Sequence, residues 1–298
     1  MLSAVERKIE QFITELNDKE VSTLYNRLPH GKRLRAKLIL KIAGSSLPVI
    51  KTAAIVEMIH AASLLHDDVI DDDYTRRNKP SLNALYGNKT AIMLGDILYS
   101  KGFFELNNIS TEVSKIISNA VVQLSLGELK DVSLSKAFNV DKDVYLEMIY
   151  QKTASLIEAS AGAAAVLAGK PKEPFMIYGR NLGLAFQMID DLLDITADSA
   201  TLGKPALHDF VEGKTTLPYI YLYETLDEAG REKLKAMHGK VLSKEDQNWI
   251  MVQMQERQVM MKCYAQAREL IDEAVELMNE LGENALSEIA MEMIDREF

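Results

Sequence analysis

Apolar residues in this chain recur at intervals of three and four rather than two, a spacing that predicts amphipathic helices almost from end to end. No Asn-Gly or Asp-Gly pair separates alternating runs, so the usual signals for β-hairpins are missing. Turn-forming residues interrupt the pattern at LPHG (28–31), SSLP (45–48), NKPS (78–81), NNIST (107–111), GKPKEP (169–174) and LGKPALHDFVEGKTTLP (202–218). These breaks leave about ten helices, several of them long. There is no linker-like stretch, low-complexity tract or internal repeat. The expected architecture is all-α, with one helical-bundle domain spanning residues 1–298. The C-terminal stretch QARELIDEAVELMNELGENALSEIAMEMI is amphipathic and should pack onto that bundle.

Composition narrows the possibilities. With 298 residues, 47% of them hydrophobic, the chain has enough apolar material for a large core. Lys plus Arg number 34 against 44 for Asp plus Glu, and the net charge of -10 argues against a broad nucleic-acid surface while leaving room for a local basic pocket. The single cysteine, Cys263, excludes an internal disulfide and a cysteine-rich zinc site and fits a reducing compartment. MLSAVERKIEQF lacks the apolar core of a signal peptide, and the low-polarity run 159–169 is too short to span a bilayer. A cytoplasmic protein without a transmembrane segment is expected.

The sharpest local feature is HDDVIDDDYTRR, in which Asp67, Asp68, Asp71, Asp72 and Asp73 crowd together ahead of Arg76 and Arg77. Like charges at helical spacing repel, so something outside the chain must compensate them. FQMIDDLLDIT repeats the arrangement, with Asp190, Asp191 and Asp194 reproducing the D-D-x-x-D spacing of Asp67, Asp68 and Asp71. On a helix the first and last aspartates of each motif share a face, and the apolar residues between them indicate partial burial. No His or Cys stands at zinc spacing. Carboxylate ledges of this kind suit a hard divalent cation, Mg²⁺ first, which completes its shell with water and substrate phosphate. Phosphate in turn calls for cations, and Lys32, Arg33, Arg35, Arg76, Arg77, Lys152, Lys204 and Lys214 lie at turns and helix ends. Each alone would ordinarily be a solvated surface charge; their placement around two aspartate motifs gives them weight.

In these blocks, GKRLR, EMIHAASLLHDDVIDDDYTRR, YGNKTAIMLGDILYSKGF, QKTASL, FQMIDDLLD and LGKPALHDFVEGKTTLP, the sequence resembles the trans-isoprenyl diphosphate synthases over nearly its whole length. The resemblance implies an isoprenoid-synthase bundle with a central substrate cavity. It also implies a reaction in which an allylic diphosphate ionises, isopentenyl diphosphate attacks the cation, and a proton is lost. Three Mg²⁺ ions, replaceable by Mn²⁺, would be held by Asp67, Asp71 and Asp190, with Asp68, Asp191 and Asp194 in support. Arg76, Lys152, Lys204 and Lys214 would hold the allylic diphosphate, and Lys32, Arg35, His60 and Arg77 that of isopentenyl diphosphate. Thr153 and Gln187 would face the developing cation. The released diphosphate would take the proton, since no dedicated base is evident. A homodimer is also implied, with transient membrane contact for product release. The small residues Ala62 and Ser63, in the turn before Asp67, leave no bulky floor against chain growth, so the resemblance favours a medium or long all-trans product for quinone side chains. A farnesyl or geranylgeranyl synthase is the alternative.

Several points are weighed on the residues. A lone histidine in an apolar run is ordinarily a core residue, but His60 lies two helical turns before Asp67 on the same face and is read as functional. His66 keeps a structural reading, and His30 is left open. Ala36 stands where the family usually has proline, which affects local loop stiffness; Asp72 and Asp73 have no assigned role. A class I terpene cyclase would replace the second motif, a regulatory subunit would have lost aspartates, and a purely structural bundle would explain neither motif.

Overall fold

The computed structural model describes residues 1–29, 31–77, 79–196 and 206–294. These fall into two compact units, Met1–Val122 with Leu156–Gly179 and Gln123–Ser155 with Arg180–Phe298. Helices α1 (Leu2–Thr14), α2 (Lys19–Tyr25), α3 (Leu34–Ala43), α4 (Leu47–Ile70), α5 (Leu82–Tyr86) and α6 (Asn88–Leu106) belong to the first unit. The unit boundaries fall within α7 (Thr111–Leu134), at the start of α9 (Ser155–Leu167) and within α10 (Lys172–Thr196). Helix α8 (Lys142–Ile149) and a π-helical turn at Tyr150–Ala154 lie in the second.

Helix α4 is the centre of the first unit, with α1, α3 and α6 packed on it. Pro48 in its first turn pre-sets φ for helix entry. Ala53, Ala54, Ile55, Val56, Met58, Ile59 and Ala62 are fully buried, so apolar residues occupy nearly all of its circumference, as in a helix surrounded by protein. Of the described helices, this is the one long and apolar enough to cross a membrane, and more than half of that apolar stretch is buried. Burial and the charges at its end give α4 the character of a core helix.

The end of α4 explains Asp72 and Asp73. Asp72 adopts the left-handed conformation (φ 52°), and the Asp73 amide donates to the Asp68 carbonyl at 2.9 Å, closing a Schellman turn. Aspartate tolerates this region better than most residues, which accounts for its presence where glycine is usual. Asn83 Nδ2 then donates to the Asp68 and Asp73 carbonyls, and Ser81 Oγ to the latter, fixing the loop that follows. A two-residue antiparallel ribbon, Thr75–Arg76 with Lys79–Pro80, adds a small β element to the all-helical expectation.

In the second unit the helix Leu217–Thr225 packs against α8 and against the helices Glu228–Met237, Lys244–Glu256 and Val259–Glu280. Tyr145, Phe210, Tyr219, Ile220 and Leu222 are fully buried, with the Phe210 and Tyr219 rings stacked at 4.3 Å. Among the described residues there are sixteen α-helical segments, more than the turn signals suggested. The additional starts are marked by capping side chains: Asp18, Asp141, Asp227 and Ser243 each accept from amides in the following first turn.

Candidate active site

The first aspartate motif closes α4. Asp67 and Asp68 lie in its last turn, and Asp71 is the C-cap residue, just beyond the helix that was expected to carry it. The negative end of the helix dipole raises the cost of these carboxylates further and favours a cation there. Asp68 is buried and held by Arg76, with Nε at 2.6 Å and a terminal nitrogen at 2.5 Å from Oδ1, while Asp67 and Asp71 are half-buried. Asp68 is thus committed to an arginine that the small ribbon positions.

A basic cluster shares this unit. Burial, followed by the charges of Arg35, Arg76, Arg77 and Arg33, holds the His60 imidazole well below its ordinary pKa, so it is neutral near pH 7. Arg35 Nε is buried and has no hydrogen-bond partner, which is costly unless an anion meets it. Arg77 donates to the Pro29 carbonyl at 3.2 Å and lies against Gly31, where a Cβ would stand only 3.0 Å from the guanidinium. Gly31 therefore makes room for Arg77. Lys32 is exposed beside it.

The second motif lies near the end of α10. Asp190 is exposed; Asp191 is buried, accepting from Tyr145 Oη at 2.5 Å and Gln187 Nε2 at 2.9 Å. Burial above all, and then the Asp209 charge, pushes the Asp191 carboxyl well above its usual range. Burial and Asp209 likewise push Asp194 up to about 7, while the Asp209 amide donates to it at 3.3 Å. Thr153 Oγ1 donates to Gln187 Oε1 at 2.8 Å. Tyr145, Asp191, Gln187 and Thr153 form one chain of hydrogen bonds, which fixes the Gln187 amide with its oxygen toward Thr153.

Lys152 and Thr153 stand on the π-turn, a geometry that re-aims side chains and often accompanies functional positions. Gly127 on α7 and Gly183 on α10 lie against it. A Cβ at Gly127 would come within 2.7 Å of the Lys152 Cα, and one at Gly183 within 2.5 Å of the Ala154 Cα. Lys152 Nζ is paired with Asp131 at 2.6 Å and Glu128 at 2.9 Å. Lys214 Nζ is paired with Glu212 at 3.0 Å, following Gly213, whose φ of 89° and approach to the Ser135 carbonyl suit glycine.

The structure thus brings Asp67, Asp68, Asp71, Arg35, His60, Arg76 and Arg77 into one unit and Lys152, Thr153, Gln187, Asp191 and Asp194 into the other. Lys204 and His30 lie outside the described residues. His66 Nε2 lies 3.2 Å from the Ile92 carbonyl, and its ring packs beside Tyr99, consistent with a structural role. Ala62 is fully buried, and Ser63, half-buried, donates to the His60 carbonyl. Sequence reasoning missed Tyr145, Glu57, Glu128 and Asp131. Glu128 and Asp131 share a helix face by their spacing, a weak signal; for Tyr145 and Glu57 there was none, because their partners are distant in sequence.

Residues 19–255 match the polyprenyl synthetase family. The chain belongs to this family of prenyltransferases. It is 36% identical to a short chain isoprenyl diphosphate synthase of Methanothermobacter thermautotrophicus over 77% of this chain and 76% of that protein. The octaprenyl pyrophosphate synthase of Helicobacter pylori superposes with a TM-score of 0.94 at 40% identity, covering 99% of this chain and 98% of the other. A polyprenyl synthase of Caulobacter crescentus, solved with calcium and isoprenyl diphosphate, gives a TM-score of 0.90 at 30% identity over 100% and 95% of the two chains.

Proposed function

We propose that this polyprenyl synthetase condenses isopentenyl diphosphate with an allylic diphosphate to give a medium or long all-trans polyprenyl diphosphate, of about six to eight isoprene units, in a tunnel whose free length limits growth. The observation that carries the reading lies in the first unit. His60, whose imidazole feels the positive charge of Arg35, Arg76, Arg77 and Arg33, and Arg35, with a buried unpartnered Nε, lie in the unit whose central helix ends in a carboxylate ledge. Such an arrangement suits a diphosphate bound by cations alone beside another bound through metal.

Oxygen-only donors suit Mg²⁺, with Mn²⁺ as substitute: half-buried Asp67 and Asp71 at the C-terminus of α4 in the first unit, and exposed Asp190 in the second, would be its ligands. Asp68 and Asp191, already hydrogen-bonded, would support rather than ligate; Asp194 joins them. Bound divalent cations would stabilise the leaving diphosphate as Lewis acids. Arg76, Lys152, Lys204 and Lys214 would hold that diphosphate, while Lys32, Arg35, His60 and Arg77 hold isopentenyl diphosphate. The Thr153 hydroxyl, its proton given to Gln187, presents lone pairs suited to a nearby cation. The allylic carbon–oxygen bond breaks, the alkene attacks the cation, and the released diphosphate accepts the proton.

Exposed Leu85, Met93 and Phe104 on α5 and α6 support a homodimer, which sedimentation would test. The enzyme is proposed to act in the cytoplasm on small diphosphates, touching a membrane only to release product. The similarity to a short chain synthase favours farnesyl or geranylgeranyl diphosphate as the second reading. Incubation with isopentenyl diphosphate, an allylic primer and Mg²⁺, followed by chromatography of the dephosphorylated products, tests both. Asp67→Ala and Asp190→Ala should lose several orders of magnitude in rate while remaining folded; either variant turning over near the wild-type rate would sink the metal assignment.

A further inference from the structure

The three cations of GKRLR do not have the same surroundings. Arg33 Nε and one terminal nitrogen form a bidentate pair with Glu6 on α1, at 2.7 and 3.0 Å, and the other terminal nitrogen lies 3.4 Å from Glu57 Oε2 on α4. Every guanidinium nitrogen of Arg33 is therefore engaged by carboxylate. Glu57, buried at 3% exposure, turns its other oxygen to the Ala36 amide at 2.9 Å. Ala36 has an amide to give, which proline at this position would lack. Arg33 itself sits in the left-handed region, with φ 53°, at the N-cap of α3. A side chain in that conformation is strained, so the ion pairs must hold it there. By contrast, Arg35 keeps an unpartnered buried nitrogen and Lys32 is exposed.

From this geometry we infer that Arg33, Glu6 and Glu57 are positioning residues for the isopentenyl diphosphate site: they clasp the loop to α1 and α4 so that Lys32 and Arg35 are presented to the anion. Arg33 is not a substrate ligand. The first helix thereby becomes part of the binding apparatus, through a carboxylate that would repel a diphosphate if it acted alone. The inference rests on the proposed function for the identity of the anion, and on the ion pairs for the clasp.

The test is steady-state kinetics of full-length Glu6→Gln and Arg33→Gln, varying each substrate at saturating levels of the other. Both variants should raise KM for isopentenyl diphosphate about tenfold, the loss expected when a charge-assisted bidentate pair no longer orders the loop. KM for the allylic primer and kcat should stay within about twofold, since only one site is disturbed. Arg33→Lys, which keeps the charge but not the fork, should fall between. If Arg33→Gln raises that KM while Glu6→Gln does not, Arg33 is itself a ligand and the clasp is refuted. Lower melting temperatures with unchanged KM would reduce the cluster to ordinary fold stabilisation and refute it equally. Should Arg33→Gln not fold, Glu6→Gln and Arg33→Lys still decide. If wild-type protein performs no condensation, the functional reading fails, and calorimetric titration with inorganic diphosphate, expected to bind wild type about tenfold more tightly than Glu6→Gln, reads the clasp independently.

Discussion

Tyr145→Phe removes one hydroxyl and should reveal how the second aspartate motif is held. That hydroxyl donates at 2.5 Å to a carboxylate oxygen of Asp191, and both residues are buried, so no water can take its place without rearrangement. A hydrogen bond to a charged buried acceptor is worth about 1.5–3 kcal/mol, and its loss also leaves the acceptor unsatisfied. The expected cost is about 2 kcal/mol where Asp191 is ionised, or about 3 °C in melting temperature for a chain of this size. It should depend on pH. Burial has already raised the folded-state pKa of Asp191 above its unfolded value, so ionisation opposes folding and metal-free stability falls as pH rises through the folded pKa. Tyr145 favours the ionised form and moderates that fall; without it the decline steepens. The difference between wild type and variant should be small in acid, where Asp191 is protonated in both, and grow as the pH rises through the raised folded-state pKa of Asp191. Urea or thermal melts in chelator across that range are the assay. A gap that is absent, or that narrows as pH rises, would refute the role given to this hydrogen bond.

Three further outcomes follow from the geometry. Gly127→Ala forces a methyl group against the backbone of the π-turn and should cost about 1–3 kcal/mol in denaturant melts while raising KM for the allylic substrate, because the turn carries Lys152 and Thr153. A variant with wild-type KM would separate that turn from substrate binding. Asp72→Ala should destabilise by about 1 kcal/mol relative to Asp72→Gly, since only glycine relieves the left-handed turn, and equal melting curves would count against the strain. Ser63→Phe is the better plug for the product tunnel than Ala62→Phe, because Ser63 is partly open while Ala62 is packed; shorter products with the first condensations intact are expected, and unchanged products would remove Ser63 from the tunnel.

The helical periodicity and the paired D-D-x-x-D motifs were legible because both are local: a face repeats every few residues, and two carboxylates four apart share it. The π-turn at Tyr150–Ala154 was not, since no residue type marks it and it depends on Gly127 and Gly183 from helices remote in sequence. The roles of Asp68 and Asp191 were only partly visible, because their partners, Arg76 and Tyr145, decide whether a carboxylate is available to metal. Asp72 and Asp73 looked like surplus charge until the backbone showed them closing α4. Missed helix boundaries have a simpler cause: single capping aspartates and serines look like ordinary polar residues until the amides they accept from are known.

The most direct measurement is product analysis after incubating wild-type protein with excess isopentenyl diphosphate, farnesyl diphosphate and Mg²⁺, with a parallel sample in chelator. The account predicts dephosphorylated prenyl alcohols of about six to eight units, formed in steps and absent in chelator because the aspartate motifs require a divalent cation to neutralise the leaving diphosphate. Condensation that proceeds in chelator, or the lack of any elongated product with Mg²⁺ present, would contradict it.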